Sequence, residues 1–331
     1  MLGVIAAIIG VYCASAAAGQ APSGPAGSGI ATPSGRALIL AELAWAHPDA
    51  DKIRLLTKRP GECLREAADE EAAYLVETGR AAFGSPLLFG GQAARGGISC
   101  GSCHIDGRDN PDFFLAGLSG DAGTADVTSS IFSATREDGV FNPAPIPSLV
   151  GVAGKERFGS RKPAASLHAF IESAVTDEFQ GAPPPQAVTD GLAAYVAHLD
   201  PDFCPAAAEA RTPFGDVADI RRTLEAAASS LRRDDAATAD FLLASARYAL
   251  REINGRYAAP SLGAQREALR DVSRALAGVR TAAVNDVSLA QALLADIVAR
   301  LPALAGNLEC HRRGSLYDVS TLRDALDSAA Q

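Results

Sequence analysis

Cys100-Gly101-Ser102-Cys103-His104 is the stretch of this chain in which side-chain type and spacing point most directly to chemistry. Two thiols at this spacing can each add to one vinyl group of a haem, forming two thioethers. The imidazole that follows directly then lies under the iron as its proximal ligand. A thioredoxin-like cysteine pair would need a βαβ setting, and no such pattern surrounds these residues. A structural zinc site would need a second Cys/His pair at ligand spacing. The distant Cys310-His311 is not such a pair, and Asn307 stands where a second haem motif would need its first Cys. The spacing predicts one covalently attached haem c, with Cys100, Cys103 and His104 as the residues that hold it.

The sixth position on the iron separates an electron carrier from a catalyst. The sole Met is Met1, so the Met/His ligation of ordinary carrier cytochromes is not expected within the mature polypeptide. Four His remain. His47 lies in a turn-like His-Pro-Asp, His198 beside the apolar face of a helix, and His311 far downstream. His168 sits at the edge of the apolar face of Leu167, Phe170, Ile171 and Ala174, and is the candidate distal iron ligand. The alternatives are a helix-edge His bonded to backbone or water, and an iron without a sixth protein ligand. If catalysis occurs, His168 and Glu172 are the candidate acid–base groups; neither is assigned as catalytic outright.

The elements that must position these residues are helices. Glu70 to Phe83 carries Leu75, Gly79 and Phe83 on one face. Ala187 to Leu199, capped near Thr189 or Asp190, carries Leu192, Tyr195, Val196 and Leu199 on one side. Gly79 would let the second helix cross closely against an aromatic. Cys63 and Cys204 flank this pair of helices, so their outer ends could meet in a disulfide; pairing through Cys310 is the alternative. Asp106, Asp109, Asp112, Asp121 and Asp126 read as a solvated acidic loop without calcium-site spacing. The stretch from Gly90-Gly91 to Gly96-Gly97 reads as a turn.

From Pro213 the texture becomes Ala-rich amphipathic helix, with breaks at Arg233-Asp234, Ala259-Pro260 and Asn285-Asp286. Four helices with short connections predict an antiparallel bundle. The inward Glu and Glu-x-x-His set of a metal-binding bundle is missing.

A net charge of −9 leaves no electrostatic means of holding a phosphate backbone, so no nucleic-acid partner is expected. Leu2 to Val11 is a short apolar run followed by small residues, which suits signal-peptide cleavage within 1–18. Residues 19–36 are a Pro/Gly/Ser/Ala leader. The expectation is an exported, periplasmic protein with no membrane span after cleavage.

The haem motif and its surroundings resemble the haem segment of the bacterial di-haem cytochrome c peroxidase family, which includes the MauG-type enzymes. The likeness runs through Gly79-Arg80, Phe83, Ser85-Pro86-Leu87 and Gly97 to His104. It continues in Pro145-Ile146-Pro147-Ser148-Leu149, Arg157-Phe158-Gly159-Ser160-Arg161, Ala165-Ser166-Leu167 and Asp177-Glu178-Phe179-Gln180-Gly181. The resemblance implies that Pro147 packs beside the cofactor. Departures are equally specific. The family has two haems and this chain has one motif. No His lies between His104 and His168 to match the family's displaceable distal His. The family's acidic residue falls at Ala169, beside His168 and one turn before Glu172, and the Met of its Glu-Met-Gly falls at Phe179.

Together these readings predict an all-α chain, with a cytochrome c-like mono-haem domain at 37–205 and an antiparallel helical bundle at 206–331. The expected role is electron transfer with an unidentified redox partner protein. The first alternative is a peroxidase-like or MauG-like enzyme with an open distal site; the second is a haem-based sensor or binding module.

Overall fold

The computed structural model describes residues 40–133, 135–159 and 163–329; the expected signal segment and leader lie outside them. The described chain is mostly α-helical. Its strands are two short two-stranded pairs, β1 (Lys58–Arg59) with β4 (Glu209–Ala210) and β2 (Thr124–Ala125) with β3 (Ala144–Pro145). Short helices α1 (Ala41–Ala44) and α2 (Lys52–Thr57) lead into α3 (Glu70–Phe83), which Asp69 caps by accepting from the Ala72 N–H at 2.8 Å. Next come α4 (Gly91–Gly96), α5 (Cys100–Cys103), α6 (Leu167–Ser173) and α7 (Gln186–Ala197).

Helices α3 and α7 pack directly together. The close crossing foreseen for Gly79 is present, but its partner is Gly191 and not an aromatic. A Cβ on Gly79 would lie 1.9 Å from the Gly191 carbonyl oxygen, so the two backbones touch where neither residue has a side chain. One turn further on each helix, Phe83 and Tyr195 meet with ring centroids 5.1 Å apart. The cap of α7 is also corrected: the helix starts at Gln186 after Pro185, and Thr189 is buried inside it. Cys63 and Cys204 are joined by a disulfide. The β1–β4 ladder runs beside it, so two segments far apart in sequence are fastened at one place.

The expected bundle is present as α8 (Pro213–Arg232), α9 (Ala236–Arg256), α10 (Gly263–Asn285) and α11 (Val287–Cys310). Leu224, Leu242, Leu276 and Leu294 are fully buried at its centre. A fifth helix, α12 (Val319–Ala329), returns to α2 and buries Leu322 with Leu40, Leu56 and Leu316. The boundary at 205/206 is therefore crossed by packing. Tyr74 of α3 joins the bundle core and its hydroxyl lies 3.0 Å from Ser230 Oγ. The buried Arg256 donates to the Leu56 carbonyl and to Glu42, both at 2.9 Å. The bundle alone would leave Tyr74's partners and a buried guanidinium exposed, so the two halves complete each other. By length and composition α11 could cross a membrane, which the sequence reading had not foreseen; here it packs against α8 and α10 through Leu294, Ile297, Leu301 and Leu308.

Candidate functional site

The motif forms one short helical turn. Ser99 and Ser102 cap it reciprocally, and the Ser99 N–H donates to Ser102 Oγ at 3.1 Å. Asn110 Nδ2 donates to the Ser102 carbonyl at 2.8 Å. Asp106 follows with a left-handed φ of 52°. Its carboxylate is buried and accepts from Arg59 Nη2 at 2.7 Å and from the Gly61 N–H at 3.0 Å. Those contacts tie the motif to the β1 strap and offset the strained backbone. The acidic loop expected here is therefore not simply solvated. Asp106 and Asp126 are buried and Asp112 pairs with Arg54 at 2.6 Å, whereas Asp109 and Asp121 are exposed.

Both motif thiols and the His104 imidazole line a cavity of about 450 Å³, within the range of cofactor pockets. Most of the wall is apolar, including Phe83, Leu88, Phe89, Ile146, Ile171 and Val175. His104 Nδ1 lies 2.9 Å from the Pro147 carbonyl oxygen. A carbonyl only accepts, so Nδ1 carries the proton and Nε2 keeps its lone pair. Burial pushes the imidazole down to about 4, against that bond and the charge of Asp109, which both raise it. The ring is neutral at pH 7, as a metal ligand must be. Burial likewise pushes the Cys100 thiol up to about 12, and Cys103 is raised by burial and by its neighbour Cys100. The segment that bears Pro147 is itself held by the Leu149 N–H donating to the Gly107 carbonyl at 2.9 Å. Two thiols, a neutral imidazole with Nε2 free and an apolar enclosure fit a haem attached through thioethers at Cys100 and Cys103.

His168 and Glu172 are not part of this wall. His168 is 52% exposed, and its Nε2 lies 3.3 Å from Asp190 Oδ1. Glu172, one turn on, is also exposed. The reason is helical phase: Leu167, Phe170, Ile171 and Ala174 line the cavity, which turns 168 and 172 outward together. His198 accounts for its ring by donating from Nδ1 to the Ala194 carbonyl at 2.7 Å. Among the described residues no Met or second His lines the cavity.

The polar group that the sequence reading missed is a buried ion pair. Helix α6 runs into a π-helical turn at Ala174–Glu178, which carries the Glu178 side chain to the cavity. Arg136 comes to it from the loop after Phe132, and its Nη1 lies 2.5 Å from Glu178 Oε2. Burial pushes the Glu178 carboxyl up to about 7, with Arg136 opposing the shift. Both cysteine thiols feel the Glu178 charge. A signal for Glu178 existed in the Asp177-Glu178-Phe179 segment. None existed for Arg136, which is brought in by a loop with no recognisable pattern. Phe179 stacks on Phe89, with ring centroids 4.2 Å apart. The stretch from Gly90-Gly91 to Gly96-Gly97, expected as a turn, is instead helix α4 over Gly91–Gly96, ended by the left-handed Gly97; a Cβ on Gly90 would lie 1.9 Å from the Gln180 carbonyl oxygen, so the bare glycine lets the two backbones approach.

A larger cleft of about 560 Å³ lies behind the motif, against α8 and α9, and shares Phe83 and Ser99 with the cavity. Its charged lining is mostly spent in internal pairs such as Arg59–Asp219 and Arg211–Asp216, both at 3.0 Å. Among the described residues no group of His, Cys, Asp or Glu could hold a bare metal ion. No family model, curated protein or solved structure matches the chain.

Proposed function

We propose that this chain is an exported mono-haem c-type cytochrome that transfers electrons to or from a redox partner protein. Its haem domain is of the kind found in the di-haem cytochrome c peroxidase family. The observation that carries the proposal is the His104–Pro147 bond on a cavity wall shared with both motif thiols. It fixes the tautomer that leaves Nε2 available, and it does so beside the two groups that would form thioethers. The bound haem would supply a one-electron couple. Cys100 and Cys103 hold it covalently, His104 ligates the iron, Pro147 orients His104, and the apolar wall excludes water. The Cys63–Cys204 disulfide supports an oxidising compartment, in keeping with export.

The test is spectroscopic. Acid–acetone extraction should leave the haem on the purified protein, and haemochrome analysis should count one per chain. A count of zero defeats the proposal. Spectra with and without carbon monoxide then report the sixth position. With His168 on the surface and no Met in the cavity, the ferrous protein should bind carbon monoxide readily.

A second reading is favoured by the Arg136–Glu178 pair. A carboxyl that can hold a proton in an otherwise apolar cavity is a group that peroxide chemistry needs. Peroxide-dependent turnover that Glu178→Gln abolishes would make the protein a peroxidase-like enzyme instead of a carrier.

A further inference from the structure

Helix α11 carries more apolar surface than the fold conceals. Of its 24 residues only Asp296, Arg300 and Glu309 are charged, yet only 28% of its most apolar stretch is buried. The face of Leu294, Ile297, Leu301 and Leu308 is used inside the bundle. A second line of residues is not. Leu289, Leu293, Asp296, Arg300, Ala303 and Asn307 are all exposed, Leu289 at 49% and Leu293 at 39%. They follow one another at alternating steps of four and three residues. That period keeps a seam on one side of a helix, facing a neighbouring helix. Here the seam runs for about 27 Å and faces solvent.

The seam has an internal symmetry. Positions 289 and 307, 293 and 303, and 296 and 300 lie equally far from Val298 in sequence. A second copy laid antiparallel across a two-fold axis at the height of Val298 therefore meets the first copy position by position. Asp296 of each copy faces the partner's Arg300. Leu293 faces the small Ala303, and Leu289 faces the turn at Asn307. Ala292 and Ala299, exposed on the flank, leave room for the two backbones to approach.

Charge favours the same arrangement. Asp296 and Arg300 pair within one helix at 2.9 Å, so the seam is neutral on a chain of net charge −9. Two acidic copies repel each other at most other faces. At this seam the two pairs join into one compensated four-charge cluster. A parallel alignment would instead set Asp296 on Asp296 and Arg300 on Arg300, which repels.

We propose that the exposed seam of α11 is the interface of an antiparallel homodimer, its occupant being a second copy of this chain. A single helix seam is small for a protein interface, so the dimer is weak and reversible. The proposal is independent of the haem reading.

The test is sedimentation velocity on the purified full chain, from about 1 μM to about 1 mM. The mass should rise from one chain to two over that range. Leu293→Glu should weaken the dimer about tenfold or more. Asp296→Arg and Arg300→Asp, each alone, should weaken it by at least as much, because each places like charges face to face. Asp296→Arg combined with Arg300→Asp should restore it, because the swapped pair is complementary again in the antiparallel register. All three positions are exposed, so far-UV circular dichroism of the variants should match the wild type. A wild type that stays a single chain at the highest concentration overturns the proposal. So does a dimer that Leu293→Glu leaves intact, or a double variant no better than the single ones. A single-chain wild type that co-sediments with phosphatidylcholine vesicles, and loses that binding in Leu293→Glu, would also overturn it by giving the seam to a lipid surface.

Discussion

His104 Nδ1 sits 2.9 Å from the carbonyl oxygen of Pro147, a residue 43 positions away in sequence. One hydrogen bond thus joins the motif to a segment that shares no helix with it. It sets which nitrogen of the ring is free, and a ligand's second hydrogen bond commonly decides both tautomer and orientation. Cys100→Ser with Cys103→Ser should leave haem that acid–acetone removes. His104→Ala should keep the thioethers but lose the proximal ligand, seen as a changed spin state in both oxidation states.

His168→Ala and Glu172→Gln should be silent at the iron. Both side chains face solvent, and the His168–Asp190 pair is half exposed, so it contributes at most about 1 kcal/mol to stability. Unchanged absorption spectra and unchanged carbon monoxide binding are the expected results. A shift of spin state in His168→Ala would contradict the register of α6.

Glu178 should make the reduction potential depend on pH near neutrality. Its carboxyl is raised to about 7 by burial, opposed by Arg136. The charged groups around it are Arg136, paired to it, and Lys155 and Arg157 on the same cavity. An ionised carboxylate favours ferric over ferrous iron, so the potential should fall as pH rises through about 7. The slope for one coupled proton approaches about 59 mV per pH unit. Potentiometric titration of Glu178→Gln should show that slope flattened between pH 6 and about 8.

Gly79→Ala should be among the most damaging single substitutions in the chain. Its new methyl group would meet the Gly191 carbonyl at 1.9 Å, which forces α3 and α7 apart. Overpacking of this kind costs about 1–3 kcal/mol, and a clash with backbone belongs at the upper end. Gly278→Ala provides the control. Nothing lies within 4 Å of its Cβ position, and a helix interior gains about 0.5–1 kcal/mol from Ala over Gly. Chemical denaturation of the two variants should move in opposite directions.

Reducing the Cys63–Cys204 bond should destabilise the whole described chain, because it closes a loop with a sequence separation of 141. The chain-entropy argument puts the loss at about 4–5 kcal/mol. Non-reducing peptide mapping should recover the two cysteines in one linked pair, and Cys63→Ser with Cys204→Ser should lower the unfolding midpoint.

What the sequence determined alone is local in origin. The motif spacing marks Cys100, Cys103 and His104 because those residues act within one turn of chain. Helix α3 was legible from Glu70 to Phe83, and the breaks between α8, α9, α10 and α11 from their apolar period, because 3.6-residue phase and turn chemistry are short-range properties. Cys63 and Cys204, which flank α3 and α7, were one of two pairings the sequence left open, and the structure joins them. Tertiary structure decided the rest. Whether His168 faces the cavity or Asp190 depends on which stripe of α6 lines the cavity wall, and a stripe boundary cannot place an edge residue. The glycine that meets Gly79 lies 112 positions away (191 − 79), and nothing local marks it. Arg136 reaches Glu178 only because a loop and a π-helical turn close on each other through Ser133 and Asp177. Burial is a property of the whole fold, and burial is what turns an ordinary Arg and Glu into the polar feature of this cavity.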